Sequence, residues 1–294
     1  MRSEKPFRSP DEALRNLFGT QIRILRRRES SGGSINRTSI LELSNGERVF
    51  LKENGMEYGD MFAKEARGLA ALRVTGGPRI PEALAFGRND REQFLLLEYI
   101  ASGNKRSDFL EDFGRRLAHL HLNHGKHFGF DEDNFIGSTV QINTREDRWT
   151  TFFGKHRLLF QAALAVKNHL LEISVFDRIE KLALGLEAYF RKDTAPSILH
   201  GDLWAGNIMC DGSGTCVIFD PAVYYGDGEA DLAMTELFGR LDEKFYKAYG
   251  EIIPPEPGYE DRREIYNLYH LLNHLNLFGE SYLGRVMSTL SRFQ

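Results

Sequence analysis

The chain has 294 residues, enough to bury a sizeable core as one large domain or two lobes. Its composition is ordinary for a globular protein, and a formal net charge of −4 gives no reason to expect the strongly basic face of a nucleic-acid binder. The charged amino terminus MRSEKPFRSPDEALRNLF lacks the apolar core of a signal peptide, and no stretch approaches the roughly 18 apolar residues of a membrane span, so a cytoplasmic protein without membrane contact is expected.

Taken in chain order, the segments QIRILRRR and TSILELSN read as strands joined by ESSGGSINR, and NGE turns the chain into a third strand, RVFLKEN. The basic run Arg26-Arg27-Arg28, followed by Glu29, reads as a solvated strand end. A helix is expected from about Tyr58 to Arg73, and then PEALAFGR, the turn NDRE and the apolar run QFLLLEYI. The polar stretch ASGNKRS marks a linker, dividing the chain into a β-rich lobe, residues 1–100, and an α-rich lobe, residues 101–294. In the second lobe Asp108 is placed to cap a helix with Leu110, Phe113, Leu117 and Leu120 on its apolar face. Helical patterns recur near 150–168 and 176–192, a strand–turn–strand unit spans about 198–219, and helices dominate from 230 onward. The expected class is α+β, with a ligand cleft between the lobes. Cys210 and Cys216 flank DGSGT, where they would face each other across a hairpin as free thiols.

One carboxylate in the first lobe is out of character. On the 58–73 helix, Tyr58, Met61, Phe62, Leu69 and Leu72 fall within about 60° of Glu65, which therefore interrupts an apolar stripe. Burying a lone charge is costly, so Glu65 needs a cationic partner, and Lys52 in RVFLKEN is the candidate. Alone, the pair reads equally as a structural ion pair. The turn SSGGSINR, with Gly32, Gly33 and Ser34, offers backbone N–H groups suited to phosphates, although two glycines between strands also make an ordinary hairpin.

The second lobe supplies acids. Asp202 and Asn207, in HGDLWAGN, are five residues apart, and Asp220 lies 13 beyond Asn207. Phosphoryl transfer needs a carboxylate to orient and deprotonate the acceptor hydroxyl, and oxygen ligands to hold Mg²⁺ against the nucleotide phosphates. The pattern D-x-x-x-x-N with a second Asp after a hairpin is the protein-kinase spacing of those groups. Asp202 is then the base, Asn207 and Asp220 the metal ligands, and Lys52, set by Glu65, the contact to ATP phosphates. The expected architecture is a bilobal, protein-kinase-like fold. His200-Gly201-Asp202 stands where H-R-D would, Asp220-Pro221-Ala222 where D-F-G would, and no A-P-E or activation segment accompanies them. Protein substrates dock on that segment, so a small-molecule acceptor is expected.

Trp204, two residues from Asp202, reads as an apolar wall beside the acceptor, and Trp149 as either a second wall or plain packing. The stretch Ile265 to Phe278 contains no charged residue and reads as a helix buried on most sides. On it His270, Asn273 and His274 form one stripe beside Asn267, either lining the acceptor pocket or forming a buried polar network. Zinc is disfavoured, because His270 and His274 bring no third ligand. His121 continues the apolar face of its helix as a hydrogen-bonded core histidine, while His119, His124 and His127 read as surface.

The runs HGDLWAGN, FDPAVYYGDGEADLAMTELFG, FGFDEDNFIGST and YHLLNHLNLFGESYLG, with GGSINR near the start, closely resemble the fructosamine kinase (ketosamine-3-kinase) family over nearly the whole chain. The resemblance implies a fold like that of aminoglycoside phosphotransferases and choline kinases. It also implies ATP-dependent phosphorylation of a ketosamine sugar, at O3, which leads to deglycation. By position, Glu98 and Ile100 in LLLEYI would offer backbone groups to adenine, and Asp231 would brace the catalytic loop. Some eukaryotic relatives carry a redox-active Cys where this chain has Ser34, so that regulation is not expected. An aminoglycoside, choline or another amino alcohol is the alternative acceptor, and a nucleotide-binding pseudokinase the alternative without turnover; intact Lys52, Glu65, Asp202, Asn207 and Asp220 argue against the latter.

Overall fold

A computed structural model describes residues 7–30 and 35–293; Gly32, Gly33 and Ser34 lie outside the described residues. The period-two segments form one antiparallel sheet of β1 (Ile24–Glu29), β2 (Arg37–Leu43), β3 (Arg48–Gly55), β4 (Ala83–Arg88) and β5 (Glu92–Glu98), in the order β1-β2-β3-β5-β4. Edge strand β1 is almost wholly exposed, and its arginines pair with Glu53 and Glu42, which discourages further strand addition. The apolar run of β5 is continuous because both faces are covered. Leu95 and Leu97 pack with Phe62, Ala66 and Leu69 of α2 (Met61–Ala71), whereas Phe94 and Leu96 pack with Ala13 and Leu14 of α1 (Pro10–Phe18). Helix α1 is absent from the sequence reading. Its signal is S-P-D-E: Ser9 accepts the Glu12 N–H, and proline occupies the first helical turn.

Beyond residue 100, α3 (Phe109–His121) starts where expected, and Phe113, Leu117 and Leu120 are buried. Asp108 sits at the N-cap position, but its carboxylate bonds Arg106 and not the helix N–H groups, so the capping expectation fails. A short hairpin follows, β6 (Asn134–Ile136) and β7 (Thr139–Gln141). The expected 150–168 helix is α4 (Trp149–Phe153) and α5 (Phe160–Lys167) with a π-helical turn, Gly154–Leu159, between them. Helix α6 (Ile173–Leu184) comes next.

The expected strand–turn–strand unit resolves into two ladders. The outer pairs β8 (Ser197–Leu199) with β11 (Tyr224–Gly226), and the inner pairs β9 (Ile208–Cys210) with β10 (Cys216–Ile218). Cys210 faces Cys216 across the inner hairpin, and both are buried free thiols. Helices α7 (Glu229–Leu237), α8 (Glu243–Gly250), α9 (Tyr259–Phe278) and α10 (Leu283–Leu290) complete the chain. One apolar core runs from Phe62, Leu69 and Leu97 into Phe113, Leu117, Ile198 and Val223, joining the sheet to the helical part. A second holds Trp149, which is 3% exposed, packs on Phe153 and donates to the Tyr266 hydroxyl at 3.2 Å; Trp149 is packing. Among the described residues no helix is long and apolar enough to cross a membrane.

Candidate active site

Lys52 projects from β3, the central strand, between Thr38 of β2 and Leu95 of β5. It is 3% exposed, and its Nζ lies 2.6 Å from Glu65 Oε1 and 2.5 Å from Asp220 Oδ1. Burial disfavours its charge, but the Asp220 and Glu65 carboxylates outweigh that, and its pKa is raised. Burial raises the Glu65 carboxyl above its ordinary value against the pull of Lys52. The expected ion pair therefore exists, and Asp220, 168 residues away in sequence, completes it.

The loop between β8 and β9 carries HGDLWAGN. Asp231, on α7, accepts the His200 N–H at 2.7 Å and the Gly201 N–H at 2.9 Å, and stands 3.3 Å from His121 Nε2. Burial works against the Asp231 charge, but the His121 hydrogen bond leads a set of interactions that hold its carboxyl below the ordinary value. His121 is fully buried, with its other ring nitrogen 2.9 Å from the Tyr249 hydroxyl. Burial lowers the pKa of His200, which is therefore neutral. The Phe219 carbonyl, 2.9 Å from His200 Nε2, can only accept, so Nε2 carries the proton and Nδ1 accepts the Asp202 N–H at 3.3 Å. His200 thus links the loop to the backbone just before Asp220.

Gly201 is required by sterics. Its φ is +81°, and a Cβ there would lie 2.0 Å from the Ala222 carbonyl oxygen. An arginine, as in H-R-D, has no room. Asn207 donates its amide to the Asp202 backbone oxygen at 2.9 Å and to Asp202 Oδ2 at 3.2 Å, leaving its own Oδ1 as the free donor atom. Burial, followed by the charge of Asp220, lifts the Asp202 carboxyl from 3.8 to about 7.

These groups line one cleft with Asn36, Trp204, Asn273, His274 and Phe278. Trp204 is 38% exposed and meets Phe238 edge-on at 6.1 Å, and Phe238 lies 4.7 Å from the His274 ring. The sequence reading missed Phe238 and Phe278; both follow apolar helical runs that read as ordinary core. The polar stripe on α9 divides. Asn273 and His274 face the cleft, but His270 does not line it, so its expected place at the acceptor is corrected. His270 is buried, its Nδ1 has no hydrogen-bond partner, and burial lowers its pKa to about 3. Glu98 and Ile100 lie past the residues lining this part of the cleft. The Glu98 N–H bonds the Glu82 carbonyl at 2.8 Å, so any adenine contact at Glu98 falls to its carbonyl.

A buried lysine held between a helix glutamate and a loop aspartate, with a second aspartate and an asparagine alongside, defines a phosphotransferase of protein-kinase-like fold. An aminoglycoside phosphotransferase bound to ADP and hygromycin B shares that fold over 96% of this chain and 98% of its own, with a TM-score of 0.66 at 14% identity. The fructosamine kinase family model matches residues 6–294, and the chain belongs to that family. A Synechocystis protein named as a ketoamine kinase is 39% identical over 99% of this chain and 98% of its own. The chloroplastic protein-ribulosamine 3-kinase of indica rice is 39% identical over 89% of this chain and 77% of its own. A Haemophilus somnus crystal structure named for fructosamine-3-kinase superimposes with a TM-score of 0.87 at 30% identity, covering 97% of this chain and 96% of that one.

Proposed function

We propose that this protein transfers the γ-phosphoryl group of ATP to the sugar O3 of ketosamines, either fructosamines or ribulosamines, and so initiates deglycation. The observation that carries the reading is the convergence of Asp202, Lys52 and Asp220 beside the aromatic wall of Trp204, in a chain whose relatives are named for ketoamine and ribulosamine kinases. A lobe boundary near residue 100 suits this scheme, with nucleotide held by 1–100 and acceptor by 101–294. Buried free thiols fit a reducing cytoplasm.

Asp202 is the base. It takes the proton of the acceptor hydroxyl as the new O–P bond forms; the bond from γ-phosphorus to the bridging oxygen breaks, and ADP leaves. A carboxyl lifted to about 7 matches a base working near neutrality. Lys52 meets the phosphate charge, Glu65 sets Lys52, and Asp231 fixes the loop backbone at His200 and Gly201. The residues present fit Mg²⁺: Asp220 and the free Oδ1 of Asn207 are hard oxygen donors, and this ion takes one or two protein oxygens with the rest from phosphates. When bound there it neutralises phosphate charge and orients the transferring group. Trp204 and His274 flank the acceptor sugar, with Asn273 behind. From the sequence alone Gly32, Gly33 and Ser34 are the proposed phosphate contacts, and the backbone at Glu98 and Ile100 the proposed adenine contact.

A parallel ATP-consumption assay with fructosyl-lysine, ribulosyl-lysine, an aminoglycoside and choline tests the proposal. Turnover on the ketosamines alone is expected. Preference for the aminoglycoside or choline, or Mg-ATP binding without turnover on any acceptor, overturns it.

A further inference from the structure

The segment FGFDEDNFIGSTVQIN supplies no group to the chemistry above, yet Asn134 to Gly137 form one wall of the cleft. Across the cleft Asp220 has a φ of +57°, a left-handed conformation that is uncommon outside glycine, though aspartate reaches it more readily than most residues. The backbone just after it is bonded by side-chain amides. Gln141 donates Nε2–H to the Ala222 carbonyl at 2.9 Å, and Asn134 donates Nδ2–H to the Val223 carbonyl at 2.8 Å. Both are fixed in turn. Gln141 also donates to Asn134 Oδ1 at 2.8 Å and accepts the Tyr269 hydroxyl at 2.6 Å.

Asn143 donates to the same Asn134 oxygen at 2.9 Å and accepts from Arg157 Nη2 at 2.8 Å. Arg157, in the π-helical turn, is fully buried, yet its hydrogen bonds all go to uncharged oxygens and its guanidinium lies 4.1 Å from the Tyr224 ring centroid. From the other side, the His200 carbonyl accepts the Ala222 N–H at 2.8 Å, and a Cβ on Gly68 of α2 would lie 3.1 Å from Val223 Cγ2. The backbone after Asp220 is thus held by hydrogen bonds from Asn134, Gln141 and His200, while Gly68 of α2 packs against the Val223 side chain.

We infer that Asn134 and Gln141 are positioning residues: their amides, buttressed by Asn143 and Arg157, hold the 220–223 backbone in the turn that presents the Asp220 carboxylate to the cleft. The inference rests on the reading of Asp220 as a metal ligand. It also gives the hairpin a second duty, because Arg67 on α2 pairs with Glu132 just before β6, and Lys64 lies 5.3 Å from the Phe135 ring centroid. One hairpin therefore touches both the helix that carries Glu65 and the loop that carries Asp220.

The test measures the Mg²⁺ concentration for half-maximal rate, at saturating ATP and ketosamine, in Gln141→Met, Asn134→Ser, Tyr269→Phe and Asp220→Asn. In Gln141→Met and Asn134→Ser that concentration should rise by about tenfold, as for other changes behind a metal ligand, with acceptor KM within about twofold of the parent. Tyr269→Phe also removes a buried hydrogen bond but leaves both amide donors on the 220–223 backbone, and should raise the Mg²⁺ requirement by less than either amide change. An unchanged requirement in a folded Gln141→Met or Asn134→Ser, or an equal rise in Tyr269→Phe, overturns the inference. Should Gln141→Met not fold, Asn134→Ser decides alone. If Asp220→Asn also leaves the requirement unchanged, the metal-ligand reading itself falls.

Discussion

The two halves of the cleft are built differently. On the side proposed to meet phosphate, Lys52, Glu65, Asp202, Asn207 and Asp220 form an almost continuous set of charged and polar bonds, and the pKa values of three of them are displaced. On the side proposed to meet the acceptor, Trp204, Phe238, His274 and Phe278 meet ring to ring, and Trp204 and Phe278 are exposed at 38% and 50%. Charge handling demands preorganised groups in fixed places, since a displaced dipole gives little stabilisation where charge develops. Apolar sugar faces tolerate more variation. The fold is shared with an aminoglycoside phosphotransferase at only 14% identity, so the fold alone does not set the acceptor.

The largest effect should come from the phosphate side. Asp202→Asn keeps the shape of the loop but removes the proton acceptor, and kcat should fall by about 10²- to 10⁴-fold. Mg-ATP affinity, measured by calorimetry, should stay within about threefold of the parent, because the role proposed for Asp202 is toward the acceptor and not the nucleotide. Near-parental turnover would remove Asp202 from the role of base.

Trp204→Ala probes the other half. It should raise the ketosamine KM by about tenfold, the worth of one stacked aromatic face, while the ATP KM stays within about twofold. If both constants move together, the two halves are coupled and the contrast drawn above is wrong.

The sequence exposed the phosphate side more readily than its supports. Glu65 was legible because a carboxylate on an apolar helical stripe demands a cation, and Asp202 to Asn207 because their spacing is local. Gly201 carried no readable reason, since the atom that excludes a side chain there belongs to Ala222, on the other arm of the ladder. Arg157 is fully buried, and the sequence did not name its acceptors because Ile142 and Asn143 belong to another segment. Three-residue strands such as β6, β7 and β11 are too short to show a period. His270 and His274 share one stripe, and periodicity cannot say where along a helix a cleft ends; only His274 reaches it. Between residues 150 and 168, the apolar pattern implied a continuous helix and gave no warning of the extra residue per turn.

The remaining effect is on stability and not on turnover, and its sign distinguishes the two halves again. The Asp202 carboxyl is raised from 3.8 to about 7 on folding, first by burial and then by the charge of Asp220. The folded state therefore binds this proton more tightly than the unfolded chain. Its stabilising contribution is whole below about pH 4 and is lost as pH rises through about 7, after which the ionised group burdens the fold at a constant level. Asp202→Asn cannot ionise. In the absence of nucleotide and metal it should melt a few degrees above the parent at pH 8, a difference on the order of a few kcal/mol, with the gap shrinking steadily towards pH 4. Trp204→Ala removes no titrating group, and its Tm shift should change much less between the two pH values than that of Asp202→Asn. Equal melting of Asp202→Asn and the parent at pH 8 would show that the ionised carboxylate is well accommodated without its partners, and that the phosphate side stores no electrostatic strain for catalysis to release.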